Sequence, residues 1–268
     1  LTSEHLALAC ASHSGARIHT DRVERWLHGL GLSDGDLRCG PQLPNDRAAR
    51  AALREAPEAP GQIHNNCSGK HSGFLTLSKH LGGGPEYIVP DHPVQKAVRA
   101  AFEEMTGEAS PGFGIDGCSA PNFATSLRGL ARAAARMAAP AGPGDARSQA
   151  AQRLVEAMML HPELIAGEGR CCTEIGRLLK DQGAIKTGAE GVFVAILPKR
   201  RRGVALKIAD GATRASEAAM VAILVGLGLL DAAHPLVARR MNAPVLNRRG
   251  IEVGNVRAAA VLSNPRTY

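Results

Sequence analysis

Nine consecutive residues, IHNNCSGKH at positions 63–71, combine a thiol, an amine, a hydroxyl, two side-chain amides and two imidazoles. Purely structural segments rarely need such a mixture of reactive groups. Asn65, Asn66 and Gly69 predict a turn, and the apolar residues that follow predict a helix. We therefore expect these groups at a helix N-terminus, where free N–H groups and the helix dipole stabilise anions and thiolates.

A second group of chemically active residues lies at positions 113–122, with the sequence FGIDGCSAPN. It supplies a carboxylate, a thiol, a hydroxyl and an amide, and its glycines allow the backbone to approach another group closely. Cys118 in this segment and Cys67 in the first are soft ligands of the kind that select zinc.

The remaining ligands of such a metal site are open from the residues alone. His64 and His71 would complete a conventional four-ligand site with the two thiols. The alternative ligand Lys70 binds a metal only after losing its proton, which burial or the metal itself can enforce. In a third interpretation, the cysteines are buried and inert.

Two further segments carry a hydroxyl and an amine that suit nucleophilic catalysis. Ser12 begins the sequence SHSG after the first predicted helix, which is also typical of an ordinary capping turn. Lys186-Thr187-Gly188 precedes a predicted strand, and this triplet is one mark of serine β-lactamases and penicillin-binding enzymes. A neutral lysine beside a serine is a workable nucleophile pair, although the chain contains no Ser-x-x-Lys motif.

The elements that must position these groups are mostly helical. Apolar spacing and start signals predict helices from residues 2–3 to 12, at 21–30 and at 47–55, from the motif at 63–71 to 81, and from 93 through 102. Further helices are predicted at 128–137 and 149–159, at 161–163 as a short helix, from the segment 166–173 to 179, and after 213 to 230. Period-two patterns predict strands at 191–197, 203–208 and 255–262, which we expect to form one sheet. The expected class is α+β, with a mainly helical region at 1–188 that carries the metal and substrate loops and a sheet-containing region at 189–268.

Composition and charge exclude some classes of protein. The 268 residues are 44% apolar, which is enough to supply a core. The net charge is +7, but aromatic residues are only 3% and the one basic run, at 199–202, is expected to be a solvated hairpin turn. We therefore discount nucleic-acid binding. A basic cleft that attracts an acidic small molecule agrees with the same charge.

No apolar stretch in the sequence is long enough for a membrane span, and we expect no signal peptide. Its six cysteines are few for a disulfide-stapled scaffold of this length. We therefore expect a cytoplasmic protein with free thiols and no membrane partner. A homodimer is a possible assembly.

Eight segments, taken in order, resemble the rhizobial-type L-asparaginases. They lie at residues 8–15, 37–40, 65–71, 90–93, 116–118, 161–170, 204–207 and 210–211. The resemblance implies a serine β-lactamase/glutaminase-like antiparallel sheet with helices and a largely helical second region. It also implies hydrolysis of L-asparagine to L-aspartate and ammonia.

The resemblance also assigns roles to residues of this chain. It implies a zinc ion held by Cys67, Lys70 and Cys118, in place of the conventional histidine site. It implies a serine–lysine centre of Ser12 and Lys186, oriented by the carboxylate of Asp116. Ser12 Oγ would attack the side-chain amide to form an ester that water releases, while lysines act as base and acid.

The chain departs from the resemblance at its beginning. Full-length members have residues before the position of Leu1, including two strands and a Ser-x-x-Lys motif. We therefore expect this chain to be N-terminally truncated and, when expressed alone, to associate and to show little activity. Two alternatives are a glutaminase or other small-amide hydrolase on the same scaffold, since one methylene changes binding by only about 1–3 kcal/mol, and an inactive remnant.

Overall fold

A computed structural model of the chain describes residues 1–55, 59–140, 142 and 144–263. These residues form a mixed α+β structure, which confirms the predicted class. The helices are α1 (Ser3–Ala9), α2 (Arg17–Gly29), α3 (Arg47–Glu55), α4 (Ser68–Leu81), α5 (Pro93–Thr106), α6 (Leu127–Ala138), α7 (Ala146–Leu160), α8 (Pro162–Ile165), α9 (Cys171–Leu179), α10 (Thr213–Gly226) and α11 (Pro235–Met241). The strands are β1 (Phe113–Ile115), β2 (Pro121–Phe123), β3 (Ala184–Thr187), β4 (Val192–Leu197), β5 (Arg202–Lys207), β6 (Asn242–Leu246) and β7 (Glu252–Arg257).

The main sheet has three antiparallel strands in the order β3-β4-β5. The predicted hairpin of β4 and β5 is confirmed, and its basic turn is exposed to solvent. Strand β3 joins the sheet as the neighbour of β4, with Lys186 opposite Val194. The division proposed at residue 188 therefore falls between two paired strands.

The third strand predicted for this sheet is placed elsewhere. The expectation of one sheet that includes 255–262 is wrong, because β7 ends at Arg257 and pairs with β6 in a separate two-stranded sheet. The turn between them explains the pairing. The side chain of Asn247 accepts hydrogen bonds from the N–H groups of Arg249 and Ile251, and Gly250 adopts φ +78°. This tight turn folds β7 back onto β6.

Helices α6 and α10 pack against β4 and β5. The contact between α6 and β5 is very close at Gly203, where an added Cβ would lie 2.1 Å from the backbone nitrogen of Ala135. Four of the six apolar side chains of β4 are buried, and Phe193, Ala195 and Leu197 are fully enclosed. Because β3 pairs with β4, these contacts also fix the position of β3.

Local signals in the sequence explain several helix ends. Helix α5 begins with Pro93 after His92, whose ring accepts a hydrogen bond from the N–H of Val94. Helix α4 ends at Gly82, which adopts the left-handed conformation with φ +65°. Helix α1 ends at Ala9, earlier than predicted, so the segment from Cys10 to Gly15 is a turn and not helix. No helix in the described ranges is long and apolar enough to cross a bilayer.

The end of α1 lies directly against the start of α4. Gly69, in the first turn of α4, has no Cβ, and an added Cβ would lie only 2.3 Å from the carbonyl oxygen of Leu8. The two helices can approach this closely only because the residue is glycine. This contact brings the turn after α1 next to the motif at 63–71.

Replacing Gly69 with alanine should therefore destabilise the fold by about 3 kcal/mol, the upper part of the range for overpacked sites, because a backbone oxygen cannot move aside. Gly73→Ala is the matched control in the same helix. Its Cβ would meet Ala9 Cβ at an ordinary 3.5 Å, so this change should be neutral or stabilise by roughly 0.5–1 kcal/mol. Urea unfolding of both variants measures the difference, and equal stabilities would show that the close approach is unimportant.

Candidate active site

Ser12 lies in the turn after α1, and backbone hydrogen bonds hold it from two sides. Its N–H donates to the carbonyl of Ile165 at 3.0 Å, and the N–H of His13 donates to the carbonyl of Asn66 at 3.0 Å. The turn is thus joined to the end of α8 and to the segment before α4. These bonds fix the direction of the Ser12 side chain without using its hydroxyl.

Lys186 projects from β3 toward this serine. Its Nζ donates a hydrogen bond to Ser12 Oγ at 2.8 Å, although 174 positions separate the two residues. The amine also donates to the carbonyl of Thr187. The structure therefore brings together the two residues that the resemblance assigned to the catalytic centre.

The surroundings of Lys186 favour its neutral form. Burial lowers the pKa of the amine, and the positive charge of Arg170 lowers it further, while the neighbouring thiols oppose the shift. A neutral amine has a free electron pair and can take the proton of a serine hydroxyl. The Ser12–Lys186 pair thus has the composition of a nucleophile and its base.

The motif at 63–71 lies at the beginning of α4, as predicted, with Cys67 in the N-cap position. Lys70, in the first turn of the helix, donates hydrogen bonds to Cys118 Sγ and to Asp116 Oδ2, each at 2.9 Å. Interaction with the Cys118 side chain lowers the pKa of Cys67 to about 7, against burial and with help from the charge of Lys70. Two thiols and an amine from separate parts of the chain therefore meet at one place.

Asp116 is built into the turn between β1 and β2. Its Oδ1 accepts hydrogen bonds from the N–H groups of Cys118 and Ala120, at 2.9 and 3.0 Å, while Ser119 between them adopts φ +70°. Burial raises the pKa of this carboxyl, but hydrogen bonds from Cys118 and Lys70 outweigh it and leave the pKa below its usual value. The carboxylate thus contacts Lys70. Its implied role of orienting the Ser12–Lys186 pair stays a prediction.

The histidines of the conventional metal site have other partners. His71 is fully buried and its Nδ1 lies 2.8 Å from the hydroxyl of Tyr87, while His64 Nδ1 accepts a hydrogen bond from the N–H of Gly61 at 3.1 Å. Within the part of the chain that the structure describes, no three His, Cys, Asp or Glu side chains are arranged to hold a metal ion. The described residues therefore give no support to the conventional four-ligand alternative.

The donor atoms of the set that includes the lysine are of types that suit zinc. Cys67, Cys118 and Lys70 supply two sulfur atoms and one nitrogen, which are donor types that zinc accepts. The short contact between Lys70 Nζ and Cys118 Sγ shows that these donors already converge. Among the described residues, the donor set that includes the lysine therefore fits a zinc ion.

Both groups line one cleft of about 660 Å³, which is large enough for a small amino acid. The cleft is also lined by polar side chains to which the sequence analysis assigned no role: Gln42, Asn66, Asn122 and Arg170. Asn66, Asn122 and Arg170 lie within segments that the analysis had singled out. Their places in the fold, and not their residue types, bring them to the cleft.

Fold and cleft define an α+β protein with a hydroxyl, an amine of lowered pKa and further polar groups around one small cavity. The comparison with known families agrees. The model of the L-asparaginase II family matches residues 1–258, so the chain belongs to that family, which implies a hydrolase that acts on amides. No curated protein matches the chain.

The amine of Lys186 should titrate below the ordinary lysine pKa of about 10.4, because burial and Arg170 disfavour its charge. NMR of side-chain-labelled lysine measures the midpoint, and the spectrum of Lys186→Met assigns the signal. Arg170→Gln should move the midpoint upward, since it removes a nearby positive charge. A midpoint at or above the ordinary value would contradict this description of the site.

Proposed function

We propose that this chain is an L-asparaginase that hydrolyses L-asparagine to L-aspartate and ammonia through Ser12 and Lys186. The observation that carries the proposal is the 2.8 Å contact between Lys186 Nζ and Ser12 Oγ, inside a cleft of a member of the L-asparaginase II family. The depressed pKa of the amine supports its role as the base.

In the first half of the reaction, neutral Lys186 takes the proton of Ser12 as Oγ attacks the carbon of the side-chain amide. The tetrahedral species collapses when the lysine returns that proton to the amide nitrogen, and ammonia leaves. An ester between Ser12 and the β-carboxyl of aspartate remains. In the second half, Lys186 takes a proton from water, the hydroxide attacks the ester, and the proton returns to Ser12 Oγ as aspartate is released.

Cys67, Lys70 and Cys118 are proposed to hold a zinc ion beside this centre. Zinc would supply positive charge that polarises or orients a bound substrate. Asp116 would fix the loop that carries Cys118 through the hydrogen bonds to its backbone. Because Lys70 must lose its proton to bind the metal, zinc affinity should rise with pH.

Ser12→Ala and Lys186→Met should each reduce asparagine hydrolysis by several orders of magnitude, because each removes one member of the nucleophile pair. Ser14→Ala is the matched control, since this nearby serine is buried and does not line the cleft. Ammonia release from L-asparagine and from L-glutamine measures the effect and separates an asparaginase from a glutaminase. Because the resemblance predicts residues before Leu1, the assay is run on the 268-residue chain and on an extended chain.

Near-normal turnover in Ser12→Ala or Lys186→Met would show that the replaced residue has only a structural role. Wild-type protein that releases no ammonia in either form would contradict the proposed function. Preference for L-glutamine would favour the glutaminase alternative.

Zinc content should fall to background in Cys118→Ala and in Lys70→Ala, because each removes a proposed ligand. Cys39→Ala is the control: this cysteine is buried, does not line the cleft, and its thiol donates a hydrogen bond to the carbonyl of Gln62 at 3.5 Å. It should leave the metal content unchanged. Elemental analysis of the purified variants settles the question. Full zinc occupancy in Lys70→Ala would exclude the lysine as a ligand.

A further inference from the structure

Arg170 is unusual among the arginines of this protein. It is half-buried, yet none of the described residues forms a hydrogen bond or ion pair with its guanidinium. Every other arginine in the described ranges that lacks such a partner is exposed to solvent. Arginine is seldom buried unless its charge is paired, because a guanidinium removed from water needs hydrogen-bond acceptors.

The neighbouring carboxylates are occupied by other arginines. Glu168, two residues before Arg170, forms a two-point ion pair with Arg177 at 2.6 and 2.8 Å. Glu174, in the first turn of α9, accepts hydrogen bonds from Arg239 and Arg240 at 2.6–3.1 Å. The acidic residues nearest in the chain therefore leave the charge of Arg170 unmatched.

The backbone beside Arg170 is clamped from behind. Arg240, on α11, donates a hydrogen bond to the carbonyl of Gly169 at 2.6 Å, and it also pairs with Glu217 at 2.7 Å. Arg170 itself occupies the N-cap position of α9. These contacts fix the backbone from which the Arg170 side chain extends. Its guanidinium has no partner among the described residues.

The charged end belongs to the same cleft as the serine–lysine pair. Arg170 lines the cleft together with Ser12 and Lys186. It is close enough to the amine of Lys186 for its charge to add to the effect of burial in lowering the pKa of that group. The positive charge of Arg170 beside this small cavity favours a ligand that carries a negative charge.

We propose that Arg170 binds the α-carboxylate of the substrate, which places the side-chain amide of the same molecule at Ser12. The proposal rests on the proposed function for the identity of the amide substrate. A guanidinium presents two parallel N–H groups that match a carboxylate, so one residue fixes both position and orientation. The enzyme would accordingly select free amino acids and reject substrates whose α-carboxylate is capped.

The test measures binding in the Ser12→Ala background, where ligands are not turned over. Calorimetry compares L-asparagine with L-asparagine amide, in which the α-carboxylate is replaced by a neutral amide. Arg170→Gln should weaken L-asparagine binding about 10- to 100-fold, the range expected for a charge-assisted pair, and should change the capped ligand less than twofold. Arg170→Lys, which retains the charge without the two-point geometry, should give an intermediate loss.

Arg214→Gln is the control for net charge, because this exposed arginine lies near α9 but outside the cleft. It should leave both affinities unchanged. Thermal melting verifies that each variant is folded, and if Arg170→Gln is not folded, Arg170→Lys decides the question. An equal loss for both ligands, no loss for either, or a parent protein that binds the capped ligand as well as L-asparagine would overturn the proposal.

The same experiment separates this proposal from the proposed function. Selective loss of L-asparagine binding in Arg170→Gln, in a protein that releases no ammonia as wild type, would retain the carboxylate site and reject the hydrolase mechanism. Normal hydrolysis by Arg170→Gln with an unchanged KM would reject the carboxylate site and retain the hydrolase mechanism.

Discussion

The hydrogen bond between Lys186 Nζ and Ser12 Oγ is the contact on which the rest of the site depends. A single hydrogen bond contributes only about 1 kcal/mol to stability, so it cannot by itself hold two segments that lie far apart in sequence. The positions come from other contacts. Strand β3 is held by β4 and by the hydrogen bond from the N–H of Thr187 to Cys172 Sγ at 3.3 Å, while the serine turn is held by backbone bonds to Ile165 and Asn66. The pair is therefore positioned before a substrate arrives.

Two lysines in one cleft are tuned in opposite directions. Burial lowers the pKa of Lys186, and Arg170 adds to the effect. Burial also disfavours the charge of Lys70, but the thiols of Cys67 and Cys118 and the carboxylate of Asp116 outweigh it and raise the pKa of that amine. The raised pKa favours the protonated form of Lys70, so this amine would have to lose a proton before it could coordinate zinc. The sequence contains both lysines, but only the fold shows which one is paired with negative charge.

Local patterns predicted the elements well where the signal is contained in a few residues. Pro93 after His92 marks the start of α5, and the β4–β5 hairpin follows from two apolar runs around a basic turn. Strand β3 was not predicted, because it has only four residues and includes Lys186 and Thr187. The partner of β7 was predicted wrongly, since pairing depends on a turn at Asn247–Gly250 that the apolar pattern does not report.

The site shows the same division between local and long-range information. Residues 63–71 carry enough local chemistry to predict their place at the start of α4. The meeting of Ser12 and Lys186 was implied by the resemblance alone, since spacing cannot report a contact across 174 positions. Arg170 lies in the segment 161–170 that carries part of the resemblance, but the sequence assigned it no role. The inference about it rests on the absence of a partner among the described residues, which only packing reveals.

The most direct test of the account is to trap the intermediate. Wild-type protein is mixed with L-asparagine, quenched in acid during the first turnover and digested for peptide mass spectrometry, with released ammonia measured in parallel. The account predicts an aspartyl ester on the peptide that contains Ser12, formed in step with the first equivalent of ammonia. An ester on another residue would contradict it. If deacylation is slower than the quench, a full equivalent of ammonia with no ester at Ser12 would also contradict it.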